Sequence, residues 1–132
     1  MRYLLVLLGW ALLAAPSYAT QQEKQSIHQI LDNFIASAVA YNKCGANDQN
    51  LKSKFAANLM EISIRDAMSA REEHPDQSSE ALAKASEEHL NAIQSKVAGL
   101  IGQNGCNSDG VKQLLKMYEF HANWNMYASP NR

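Results

Sequence analysis

Two cysteines, Cys44 and Cys106, each sit in a break between stretches of helical periodicity. Around the first the chain reads "NKCGAND" and around the second "IGQNGCNSDGV". Gly, Asn, Ser and Asp at that density end one helix and start another. A bond between the two sulfurs spans 62 residues and dictates which helix ends lie together. No other pairing exists within the chain, so the compartment decides whether it forms.

The first residues, "MRYLLVLLGWALLAAPSYAT", bear on the compartment. Arg2 precedes an apolar stretch from Leu4 to Ala15, and Pro16 breaks it. Ser17 and Ala19 supply the small-x-small pattern of a signal-peptidase site. Residues 1–19 are therefore predicted to be a cleaved signal peptide, with the mature chain starting at Thr20. The apolar core is shorter than the roughly 20 residues that span a bilayer. No Cys follows it closely enough for a lipid anchor. The predicted location is the periplasm or the exterior, and the absence of an Asn-x-Ser/Thr acceptor favours the periplasm. In such a compartment the Cys44–Cys106 disulfide is expected. Closing that loop stabilises a fold by about 4 kcal/mol, a large share of the roughly 5–15 kcal/mol of a whole domain.

The rest of the chain, residues 20–132, reads as one all-α domain, since nothing alternates apolar and polar for long. Helix 1 is expected from about Gln22 to Tyr41, with Ile27, Ile30, Leu31, Phe34, Ile35, Ala38 and Val39 on one face. Helix 2 is expected from Gln49 to Glu72, with Leu51, Phe55, Leu59 and Ile62 as its stripe. Met60, Ile64, Ala67 and Met68 are expected to widen that stripe. Pro75 ends it. Helix 3 is expected from Ser79 to Leu100 or Ile101, burying Leu82, Ala85, Leu90, Ile93, Val97 and Leu100. Helix 4 is expected from Asp109 to Tyr127, and the tail "ASPNR" follows. Asn47 or Asp48, and Asp76 or Ser78, are placed to cap the second and third helices. Four helices with short connections predict an up-down-up-down bundle. The first and third connections then meet at one end, which is where the disulfide requires them.

Charge excludes some partners. Without residues 1–19 the chain keeps 11 Lys and Arg against 13 Asp and Glu. It offers no basic face for nucleic acid and no polybasic run for a membrane after signal cleavage.

Chemistry-bearing motifs are sparse. His28, His74 and His121 are expected near the end opposite the disulfide. None is paired at i, i+4 with another His, and HExxH is absent, so no metal site is assigned; His28 and His121 are the nearest candidates. Without CxxCH, covalent haem of the usual c type is excluded. No cofactor and no enzymatic activity are expected. "KMYEFHANWNMY" is the most unusual stretch, with aromatic residues on several sides of helix 4. Such residues are enriched at interfaces, so Tyr118, Phe120, Trp124 and Tyr127 form a candidate partner-binding surface. The alternative is that helix 4 is central and these residues are core. The expected function is an exported helical protein acting non-enzymatically on a protein partner or as a homodimer, as periplasmic inhibitors, immunity proteins and chaperones do. The alternative is a carrier holding a small ligand, metal or haem between helices.

Overall fold

The computed structural model describes residues 25–127. The expected signal peptide, the expected first residues of helix 1 from Gln22 and the tail "ASPNR" lie outside them. Among the described residues the chain forms four helices and no strand: α1 (Ile27–Cys44), α2 (Gln49–Glu73), α3 (Ser79–Asn104) and α4 (Asp109–Asn123).

Each helix starts where a side chain takes up its free N–H groups. Ser26 accepts from the N–H of Gln29, and the Gln29 side chain accepts from the N–H of Ser26 in return. This reciprocal box starts α1 at Ile27, later than expected from Gln22. Asp48 caps α2, Ser78 caps α3 and Ser108 caps α4. Gly45 closes α1 by donating to the Tyr41 carbonyl at 2.8 Å. A Cβ there would lie 2.5 Å from the Tyr41 ring, so the turn needs glycine. The third helix runs past Leu100 and Ile101 to Asn104 and ends at Gly105, whose φ of 74° suits glycine.

The fourth helix stops at Asn123 instead of Tyr127. Asn58 of α2 caps that end. Its side-chain amide donates to the carbonyls of His121 at 2.7 Å and Trp124 at 3.0 Å. The His121 carbonyl is the one a further helical turn would have used.

The helices alternate in direction, up-down-up-down. His28 near the start of α1 meets Asp66 and Glu73 near the end of α2. Asp32 meets His89, and Cys44 meets Cys106, so α3 runs with α1. Ser37 meets His121 and Tyr41 meets Tyr118, so α4 runs against α1. The Cys44–Cys106 disulfide joins the first and third connections with Cα atoms 5.5 Å apart, as expected.

The four helices do not form a square. The first helix packs against all three others, α4 wedges between α1 and α2, and α3 leans on α1 with little contact to α2 or α4. At 15 residues, α4 is about 22 Å long and covers only the disulfide half of α1.

The core follows this arrangement. Leu31, Phe34, Tyr41, Phe55, Ile62, Tyr118 and Ala122 form one buried cluster drawn from α1, α2 and α4. Of the expected buried side of α3, Val97 alone is buried; Leu82, Leu90, Ile93 and Leu100 are half-buried and Ala85 is exposed. A helix resting on one neighbour cannot cover a full stripe. On α2, Met60, Ile64 and Met68 do not widen the core as expected. They face outward, because the core is reached through Phe55 and Ile62 on the opposite side of the helix.

Candidate functional site

The four aromatic residues singled out near the C-terminus separate into different environments. Tyr118 is in the core and is 3% exposed. Its ring lies between those of Tyr41 and Phe55, with centroids 3.9 Å away on each side and planes 2° and 13° from parallel. Burial, and then the nearby Tyr41, push its hydroxyl pKa up. Tyr118 is therefore withdrawn from any partner surface. Trp124 is half-buried just past the end of α4 and packs against the core, 6.2 Å from Phe34 and 6.3 Å from Phe120. Phe120 and Tyr127 remain exposed, at 63% and 77%. Tyr127 lies beyond the helix, with the Arg65 guanidinium 5.9 Å from its ring centre.

His28 and His121 do not share a level. His121 meets Ser37, which lies nine residues along α1 from His28, about 13 Å of helix rise. His121 lies twelve residues from the start of α4, about 18 Å from the disulfide end, which leaves it short of the bundle end where it was expected. Its ring stacks on Phe34, and its Nδ1 lies 3.3 Å from the Ser37 hydroxyl. That hydroxyl donates its one proton to the Phe34 carbonyl at 3.0 Å, so the imidazole donates from Nδ1. Burial pushes its pKa down to about 4, which keeps it neutral. It is a satisfied core histidine.

His28 is held between two carboxylates of α2. Its Nδ1 is 2.5 Å from Asp66, and its Nε2 is 3.0 Å from Glu73. Partial burial lowers its pKa, but hydrogen bonds and charge attraction from Asp66 and Glu73 outweigh that and raise it overall. Ser69 and then His28 hold the Glu73 carboxyl below its ordinary pKa. This cluster clips the start of α1 to the end of α2. His89 and Asp32, 2.9 Å apart, clip α3 to α1. His74 caps the end of α2 in solvent. Among the described residues no three or more His, Cys, Asp or Glu side chains converge to hold a metal ion.

Two features were given no surface role in the sequence reading. The first is the outward row Met60, Ile64 and Met68 on α2, 68%, 52% and 60% exposed. Its signal was present as a second i, i+4, i+8 stripe on a helix that already had one. The second is a groove of about 540 Å³ between α2 and α3, floored by Leu31 and walled by Ala67, Ala70, Leu82 and Leu90. It opens where α3 leans away from α2, a separation not written locally in the sequence.

Among the described residues no helix is long and apolar enough to cross a membrane. Comparison of the chain with protein-family models, curated proteins and solved structures finds no match in any of the three.

Proposed function

We propose that the protein is exported and acts by binding another protein surface, without catalysing a reaction. The observation that carries this reading is the placement of five large apolar side chains in solvent. They are Met60, Ile64 and Met68 on α2, and Phe120 and Tyr127 at the α4 end. Single exposed apolar residues are ordinary, but three in one row on one helix mark an interaction face. Methionine suits such a face, because its flexible thioether adapts to a partner's shape. Export is supported by the Cys44–Cys106 bond together with the apolar leader and its small-x-small site.

The test uses the mature protein and variants that change only exposed residues. Met68→Asp and Phe120→Asp are expected to abolish association, seen as a fall in native mass or loss of a cross-linked species, with melting temperature unchanged. Association that survives both substitutions would overturn the reading.

The α2–α3 groove favours a second reading, a carrier of a small apolar ligand. Its volume lies in the range of ligand pockets, about 300–1,000 Å³, and its Ala and Leu side chains alternate with polar ones such as Ser63, Asp66, Arg71 and Glu87. Native mass separates the two. Added mass of a small molecule supports the carrier, whereas a doubled mass or a bound protein supports the first reading.

A further inference from the structure

We infer that the outward face of α2 is a homodimer contact, across which a second copy of this chain lies antiparallel about a two-fold axis at Ile64. This rests on the protein-binding reading and names the partner.

Met60, Ile64 and Met68 recur every fourth residue and are all more than half exposed. At 100° per residue they fill an arc of about 80° centred opposite Phe55, so the row points directly away from the core. A row with this spacing is a single ridge of the kind that packs into the matching groove of another helix. The row is also symmetric, with a methionine four residues before Ile64 and another four residues after it. A two-fold axis perpendicular to α2 at Ile64 sets Met60 against Met68 of the second copy and Ile64 against Ile64. Self-complementarity of this kind is what an isologous interface requires.

Charge placement selects the same arrangement. Glu61 and Arg65 lie side by side on one flank of the ridge, 2.8 Å apart. They stand three residues before the axis and one residue after it. Antiparallel pairing keeps that flank on the same side in both copies. Glu61 then falls about 3 Å along the axis from Arg65 of the second copy, and the reverse contact forms by symmetry. Along the axis the two Arg65 side chains stand between the two Glu61 side chains, and Arg65 sits about 40° further round the helix from the contact than Glu61, which holds the two guanidinium groups further apart than either Glu–Arg pair. A parallel pairing would set the same flank against Ser63 and Ala67, which offer no charge of opposite sign. Tyr127, exposed beside Arg65, lies on the flank where the second copy arrives.

The test is sedimentation of the mature protein up to about 200 µM, where a contact of modest affinity is populated. A dimer mass is expected. Ile64→Asp is expected to halve the mass with no change in the melting temperature of the dilute, monomeric protein, since Ile64 is half exposed. Glu61→Lys is expected to weaken the dimer about tenfold, and Glu61→Lys with Arg65→Glu to recover most of that loss. Ile64→Cys is expected to cross-link copy to copy on mild oxidation. Met60→Cys is expected to cross-link only when mixed with Met68→Cys. A monomer throughout the range would overturn the dimer and leave the binding of a foreign protein standing. A dimer indifferent to Ile64→Asp would overturn this surface.

Discussion

The imidazole of His121 lies flat on the ring of Phe34, with centroids 4.0 Å apart and planes 10° from parallel. The residue is 6% exposed, and its polar contact is the Ser37 hydroxyl. No carboxylate among the described residues pairs with it to favour the charged form. A proton therefore binds His121 far more readily in the unfolded chain.

The sign of the pH effect follows. The pKa falls from 6.5 in the unfolded chain to about 4 when folded. The stabilisation is fully present above pH 6.5 and is lost as pH falls toward 4. At about 1.4 kcal/mol per unit its size is at most about 3 kcal/mol. The urea midpoint should drop between pH 7 and pH 4, and His121→Phe should remove most of that drop.

His28 works in the other direction. Its folded pKa is raised, so its clip to Asp66 and Glu73 contributes below pH 6.5 and is lost as pH rises through the folded value. The side chain is 37% exposed, so solvent screening holds the contribution to under about 1 kcal/mol. His28→Gln is expected to lower the melting temperature at pH 5.5 and to leave it unchanged at pH 9.

Reduction of Cys44–Cys106 is expected to cost about 4 kcal/mol, or roughly 15–25 °C in Tm for a domain of this size. The loss should not be uniform. The third helix rests on α1 and contributes one buried residue, Val97. Amide exchange in α3 should therefore accelerate before exchange in α1, α2 or α4. Equal acceleration in all four would contradict this account of the packing.

Asn58 caps the end of α4 from another helix. Asn58→Ala removes the donor to the Trp124 carbonyl and leaves the His121 carbonyl with only the Trp124 N–H at 3.4 Å, which should destabilise the protein by about 1–3 kcal/mol. Chemical denaturation measures the loss, and amide exchange should place the new fraying at residues 120–124.

The sequence already held the parts decided locally or by a single covalent choice. Gly45, Asp48 and Ser78 could be placed because capping chemistry depends on a few adjacent residues. The disulfide was legible because the chain offers one pairing and the helix order agrees with it. The box of Ser26 and Gln29 was equally local, but the apolar period alone placed the start of α1 at Gln22. Long-range contacts were not legible. The end of α4 is capped by Asn58, 63 residues from His121 in sequence. The second helix carries apolar residues on two faces, and nothing within it says that Phe55 faces inward and Ile64 outward. That choice depends on where α1 and α4 lie. For the same reason, Tyr118 was grouped with Phe120 although one is core and the other is in solvent.

The most direct measurement is the intact mass of the protein recovered from its native host, taken before and after treatment with a thiol-blocking reagent without reduction. The expected species begins at Thr20, is two hydrogens lighter than its fully reduced form and takes up no reagent. A chain that keeps residues 1–19, or that takes up reagent at both Cys44 and Cys106, would contradict an exported bundle stapled between its first and third connections.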